Sequence, residues 1–561
     1  MGVHEKYDDA RFYRKRNLET PKKRDKRGLM NLAFLMDGRK CIGCHACTVA
    51  CKSEHDIPIG VNRTWVKYVE SGQFPNNKRM FTVLRCNHCE AAPCIDICPT
   101  NALHYLDNGI VDFDTDRCIG CKSCMQACPY DALYINPDTH VAEKCNFCAH
   151  RLERGLEPAC VIVCPVEAIE FGDMADPNSA ISALIAKENV TVRKPEKGTI
   201  PNVFYLDGDD ASLNPSETKK TDDYLWSEQY KGVGHFAHYA EERSREKDPN
   251  DLLIQLAIEA GAKYEGSGNS QEILDRLQSD DSRTVYDSPS KGILWGWEVS
   301  AYVWTKAISA GLFFMLVLSE FFGWVNVNDG LMESSLWTSM AFLMITGGLL
   351  VKDLDQPKRF LYVLLRPQWK SWLVKGAYFI TFFGFIMSIL LLNVYVDLGV
   401  GSGIFKIVGG IFAVLSAVYT SFLFAQAKGR DFWQSSIAPV QMLIHSAIAG
   451  SMVIGILKGE FNSELNLVIA TLLEINLALF IIELTGSNKT ADTKAVVDLI
   501  TRGRYKMQFS ITIIFGRILP LLLLLFAPHL VPAQLLGTVV LIGILSSEHI
   551  WVRAPQLISL S

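Results

Sequence analysis

The chain has 561 residues, 55 of them Lys or Arg and 60 Asp or Glu, for a net charge of -5. Residues 1–290 hold 36 basic and 45 acidic residues, and residues 291–561 only 19 and 15 among mostly apolar sequence. All 16 cysteines lie between Cys41 and Cys164. These facts exclude a single soluble globular domain and a secreted disulfide scaffold, and with no basic excess they give nucleic-acid binding no support.

Residues 1–40 carry 12 basic and 6 acidic residues. The basic run Lys22–Arg27 reads as a solvated arm. The apolar stretch Leu29–Met36 is too short for a signal-peptide core and is followed at once by Asp37, Arg39 and Cys41, so it reads as a first strand.

The cysteines fall into four groups. Cys41, Cys44, Cys47 and Cys51 are spaced x2, x2, x3. Cys86, Cys89, Cys94 and Cys98 are spaced x2, x4, x3. Cys118, Cys121, Cys124 and Cys128 repeat x2, x2, x3, and Cys145, Cys148, Cys160 and Cys164 are spaced x2, x11, x3. Pro99, Pro129 and Pro165 follow three of the last cysteines, and Lys52 the other. This is the two-cluster ferredoxin run, doubled. Three thiolates on a tight loop hold three irons of one cubane; the fourth, a helical turn onward, points to the neighbouring cluster. Sixteen thiolates make four [4Fe–4S] clusters with none to spare and no open iron for substrate. Zinc would not need the third cysteine or the x3-C-P ending.

This pattern closely resembles the four-cluster electron-transfer subunits of molybdopterin oxidoreductases of the dimethyl sulfoxide and polysulfide reductase type, over about residues 30–175. The resemblance implies four ligand sets. Cys41, Cys44 and Cys47 go with Cys164. Cys145, Cys148 and Cys160 go with Cys51. Cys86, Cys89 and Cys94 go with Cys128, and Cys118, Cys121 and Cys124 with Cys98.

Residues 173–290 hold 23 acidic and 13 basic residues amid Gly, Ser, Asn and Pro. They read as a connector, partly ordered as a strap or flexible, with short helices over Leu252–Ala260 and Glu272–Leu277.

From Trp297 apolar runs recur, most of them about 20 residues and long enough to cross a bilayer. They are Ser300–Phe322, Leu336–Val351, Trp372–Asn393, Ile404–Ala425, Ile437–Leu457, Leu465–Leu484, Phe509–Pro528 and Ala533–Val552. With the N-terminal side inside, the inner segments hold 15 basic residues and the outer ones only Lys406 and Lys458. That bias predicts an inner-membrane protein of a prokaryote with its iron–sulfur part in the cytoplasm. The loop Asp353–Phe360, the following Leu365–Trp372 and Trp297-Glu298 resemble the NrfD/polysulfide-reductase membrane subunits. That family implies a quinone-reactive anchor without haem, usually a separate chain and here fused. The expected fold is an α+β ferredoxin-like four-cluster domain joined to an all-α membrane bundle. Its parts are an arm and first strand (1–40), the cluster domain (41–172), the connector (173–292) and the membrane domain (293–561).

Polar residues inside spans mark function or pairing. Glu298, Tyr302, Gln441, His445, Glu483, Glu548 and His549 fall in the inner half, Lys306, Glu474 and Arg517 nearer the middle, and Glu320 near the outer end. Glu298, Tyr302, Gln441 and His445 can supply the hydrogen bonds a quinone (menaquinone or ubiquinone) needs. The plainer reading pairs Lys306 or Arg517 with Glu474. No haem is expected, because only His445 and His549 are placed at all suitably and His529 is near the outer surface. No molybdopterin domain, Gly-rich nucleotide fingerprint or nucleophile constellation is present. The chain therefore reads as an electron-transfer and quinone-reactive subunit bound to a molybdopterin catalytic subunit. The alternatives are a redox-driven proton-translocating subunit of the alternative-complex-III kind and a passive anchor.

Overall fold

The computed structural model describes residues 30–72, 77–215, 218–220, 282–396, 402–486 and 490–561. The basic arm Lys22–Arg27 and the two expected helices at Leu252–Ala260 and Glu272–Leu277 lie outside the described residues.

The first strand is present as Leu32–Asp37, fully buried. It is flanked by Ile169–Asp173, antiparallel, and by Val203–Leu206, parallel, with Val190–Thr191 at the edge. A second sheet pairs Thr64–Ser71 with Lys78–Arg85 and with Arg283–Tyr286. Two short hairpins, Leu103–Tyr105 with Val111–Phe113 and Leu133–Ile135 with Ala142–Lys144, follow the second and third cysteine groups. The first strand pairs with strands on both sides of the expected cluster domain, and Val190–Thr191, Val203–Leu206 and Arg283–Tyr286 of the expected connector pair into the same two sheets. Strands of two to four residues are too short to show alternation in sequence.

Among the described residues, eight helices are long and apolar enough to cross a membrane. They are α1 (Trp297–Phe322), α2 (Asp329–Lys352), α3 (Trp372–Tyr395), α4 (Ser402–Gln426), α5 (Ala438–Lys458), α6 (Ser463–Thr485), α7 (Lys506–Phe526) and α8 (Ala533–Arg553). All eight expected spans are there. α2 starts seven residues earlier than its apolar run, because the Asn328 side chain accepts the Leu331 N–H at 2.8 Å and caps the helix before its polar first turns. α1 and α5 form the centre of the bundle, each 78% buried over its most apolar stretch. Gly311 and Gly450 let them touch backbone to backbone. Large apolar side chains such as Phe385, Ile404, Ile481 and Phe526 face outward, as lipid contact requires.

The two parts are packed together. Ten residues separate strand Arg283–Tyr286 from α1. The loop after α2 cradles the third cysteine group: Arg359 donates to the carbonyls of Thr115 and Cys118 at 2.7 and 3.0 Å, and Lys122 pairs with Asp355 at 3.0 Å. On either side of Cys98, the Ser371 hydroxyl donates to the Ile97 carbonyl at 2.7 Å and the Gln368 N–H to the Pro99 carbonyl at 2.9 Å.

Candidate electron path and membrane cleft

The first cysteine of every group sits at the start of a curled loop. Its sulfur accepts the N–H of the residue two further on: Gly43, His88, Gly120 and Phe147. Each of those residues has positive φ, between 42° and 70°. The left-handed turn aims successive amides at the sulfurs, which is how a backbone nest holds an anionic centre. Ala142 and Ala168 add N–H donors to Cys118 and Cys164 at 3.4 and 3.2 Å.

The folded chain brings the groups together crosswise. Cys41 lies in the field of Cys164 and Cys44. Cys51 lies against Cys145, Cys148 and Cys160. Cys89 and Cys94 face Cys86 and Cys128, while Cys121 and Cys124 face Cys118 and Cys98. Among the described residues no three His, Cys, Asp or Glu side chains converge on a single-ion point. Burial pushes the bare Cys121 and Cys148 thiols up to about 12, so thiolates here need the positive charge of an iron core. The residues present fit iron–sulfur clusters, which when bound accept and release single electrons.

The two ends of the row differ. Around Cys41, Cys44 and Cys164 the surface is open: Cys44 is exposed, with Ile42, Val49, Ile162 and Val163 exposed nearby. The Cys118–Cys124 loop is covered by the bundle. Trp295 donates its Nε1–H to the Cys121 carbonyl at 3.2 Å and stacks on Trp433 with ring centres 5.3 Å apart. Trp433 in turn donates to the Trp551 carbonyl at 3.0 Å. A hub of buried polar groups surrounds this stack. Arg430 Nε donates to Gln126 Oε1 at 3.0 Å, and Gln126 Nε2 donates to Gln556 Oε1 at 2.7 Å.

Trp551 also lines a cleft between α5, α6 and α8, together with Ala438, Gln441, Met442, His445, Phe480 and Glu548. Its free core is ≈ 10 Å³, about one water's worth, so a ring enters only if side chains give way. His445 Nδ1 is 2.6 Å from Glu548 Oε1. Arg517 Nη2 is 3.5 Å from His445 Nε2 and donates to Ser547 Oγ at 2.7 Å, while its Nε donates to Asn476 Oδ1 at 2.6 Å. Arg517 lies over the Phe480 ring at 4.4 Å. It is aimed there by a π-helical turn, Ile514–Ile518, inserted in α7. Gly516 in that turn meets Gly543 of α8 backbone to backbone; a Cβ on either would lie within 2.8 Å of the other's Cα.

Of the residues singled out from sequence, Gln441 and His445 share this cleft. Glu298 does not line it; it pairs with Lys352 at 3.6 Å at the edge of the bundle. Tyr302 is buried beside Thr420, where Tyr419 and the Lys306 ammonium also converge. The expected pairing with Glu474 is corrected: Glu474 is exposed on the outside of α6, Arg517 bonds Asn476, and Lys306 bonds Thr420. Glu483 accepts from Ser435, His549 lies near Arg553, and Glu320 pairs with Lys406 at 2.7 Å. At the mouth of the bundle Asp353 is pushed up to about 7 by burial, with Lys122 opposing and Glu298 and Asp355 adding to the rise.

Residues 40–103 and 78–174 match the 4Fe-4S dicluster domain family, and residues 287–557 match the family "Polysulphide reductase, NrfD". A tetrathionate reductase subunit of Salmonella typhimurium is 46% identical over 188 residues, which are 33% of this chain and 75% of that protein. A polysulfide reductase component of Wolinella succinogenes is 44% identical over 176 residues, 31% of this chain and 92% of that one. The arsenate respiratory reductase iron-sulfur subunit of a Shewanella strain is 35% identical over 227 residues, 32% and 96% of the two chains. The chain belongs to the reductase iron–sulfur subunit family, fused to an NrfD domain.

It is an iron–sulfur electron-transfer subunit with an NrfD membrane domain, and among the described residues it has eight helices long and apolar enough to cross a membrane. Sequence reading of the NrfD part did not single out Trp295, Trp433 and Trp551. They lie far apart in the chain, and only the folded interface stacks Trp295 on Trp433 and hydrogen-bonds Trp433 to the Trp551 carbonyl.

Proposed function

We propose that the chain carries electrons between a molybdopterin catalytic subunit and the quinone pool, through four [4Fe–4S] clusters and a quinone site in the His445 cleft. In this reading the ligand sets are Cys41, Cys44, Cys47 and Cys164; Cys145, Cys148, Cys160 and Cys51; Cys86, Cys89, Cys94 and Cys128; Cys118, Cys121, Cys124 and Cys98, and the crosswise approach of the groups supports them. The observation that carries the reading is continuity. The last of these sets touches Trp295, Trp295 stacks on Trp433, Trp433 hydrogen-bonds the Trp551 carbonyl, and Trp551 lines the cleft. The apolar surface around exposed Cys44 is where the catalytic partner docks, at the far end of the row.

In the cleft, Gln441 Oε1 is buried without a partner among the described residues and is free to accept from a quinol hydroxyl. The His445–Glu548 pair takes the proton released with each electron. The purified chain should hold about 16 irons, and Cys121→Ser should lose about four of them and uncouple the row from the cleft. Iron near two atoms, or stoichiometric zinc, would sink the cluster reading.

The iron–sulfur part faces the cytoplasm in this proposal. The basic side chains Lys291, Arg359, Lys370 and Arg430 all lie on its side of the bundle, where each bonds the iron–sulfur domain. A phosphatase fused after Ser561 should be inactive and one inserted near Asn328 active. The reverse pattern overturns the orientation.

A further inference from the structure

The residue before the first cysteine of every group is basic: Lys40, Arg85, Arg117 and Lys144. Lys40 and Arg117 are exposed, at the two end sets of the row. Arg85 and Lys144 are buried, at 1% and 0% exposure. Arg85 closes strand Lys78–Arg85, lies over the Phe34 ring at 4.3 Å and donates from Nη1 to Cys160 Sγ at 3.2 Å. Its Nε and Nη2 have no partner among the described residues. The negative groups it faces are Cys160, Cys145 and Cys47, which belong to the first two sets. Lys144 closes the hairpin strand Ala142–Lys144; its ammonium is held by the carbonyls of Val111 and Cys145 and acts on Cys86 and Cys94 of the third set. Among the described residues neither cation makes an ion pair with a carboxylate.

A buried cation without a carboxylate is costly unless something else supplies negative charge. Arg85 stands at the junction of the first and second sets. Lys144 stands at the junction of the second and third. We propose that Arg85 and Lys144 are fixed counter-charges that raise the reduction potentials of the inner clusters. An added electron makes a thiolate-bound core more negative. A cation locked beside it, away from water, therefore favours the reduced form. The inference rests on the cluster reading above and adds a division of labour within the row, with inner carriers supported by buried cations between end carriers whose preceding cations, Lys40 and Arg117, are exposed.

The test is an electron-paramagnetic-resonance redox titration of membranes carrying the full-length chain, with iron measured in the same samples. In Arg85→Gln and Lys144→Met, at the wild-type midpoint of an inner cluster, the reduced-to-oxidised ratio should fall about tenfold, or 59 mV for one electron. Arg85→Lys keeps the charge and should keep the midpoint. Full iron with unchanged midpoints in both neutral variants overturns the proposal. So does loss of iron from both, which would make the cations structural pins. Wild-type iron near two atoms would sink the cluster reading itself, and so is distinguishable from either result.

Discussion

Replacing Glu548 with glutamine should lower quinone-coupled turnover by about 10²-fold or more while leaving iron content and membrane insertion intact. Arg517 has only donors, so a bond to His445 makes Nε2 the acceptor and leaves the ring proton on Nδ1, facing Glu548 at 2.6 Å. A proton taken by Nε2 would leave an imidazolium that the Glu548 carboxylate stabilises and can relieve through Nδ1. Glutamine keeps the shape and the acceptor oxygen but cannot take the proton. The glutamine variant tests this better than His445→Ala. Deleting the imidazole would strand Glu548 and Arg517 in the bundle at a cost of about 3–5 kcal/mol, mixing lost chemistry with lost structure. The measurement is quinol oxidation by membranes of the intact complex, against cluster reduction by the catalytic partner alone. Cluster reduction should survive. Unchanged quinol oxidation would make the His445 cleft a packing detail.

The second large effect is expected at Arg430. Its guanidinium bonds Gln126 Oε1 and the carbonyls of Pro555 and Ile558, the last two at 3.1 and 2.6 Å. Arg430→Ala leaves three buried acceptors without a donor, at about 1–3 kcal/mol each. The Gly429 N–H, which donates to the Gln126 carbonyl at 3.1 Å across the same junction, should then exchange with solvent about 10²-fold faster or more. Electron transfer from the clusters to the cleft should slow with it. Wild-type protection at Gly429 would place the strength of the junction elsewhere, in the Ser371 and Arg359 contacts.

Much of this was legible in the residues because local chemistry dictated it. Cysteines spaced by two and three need curled loops, and the chain supplies left-handed residues at Gly43 and Gly120. Apolar runs bounded by basic loops need a bilayer. What sequence could not resolve depended on which way a side chain points around a helix. Glu474 and Asn476 are two positions apart on α6, about 200° around the axis, so only one can face Arg517. The charge suggested Glu474; the fold turns Asn476 inward and leaves Glu474 outside. In the same way Glu298 shares a helix with buried Tyr302 yet looks toward Lys352 at the rim. The strands that follow residue 173 were legible only as a partly ordered strap, because Val190–Thr191 and Val203–Leu206 are two and four residues long, too short to show alternation.

The short passage from strand Arg283–Tyr286 into α1 has a consequence for assembly. Ten extended residues reach no more than about 36 Å, so the iron–sulfur domain is never far from its seat on the bundle. Docking is then intramolecular, at an effective concentration in the millimolar range set by the tether rather than by expression level. Dilution, which separates two independent chains, cannot separate these two parts. One polypeptide also delivers one iron–sulfur domain to each membrane bundle, so their stoichiometry is settled at translation.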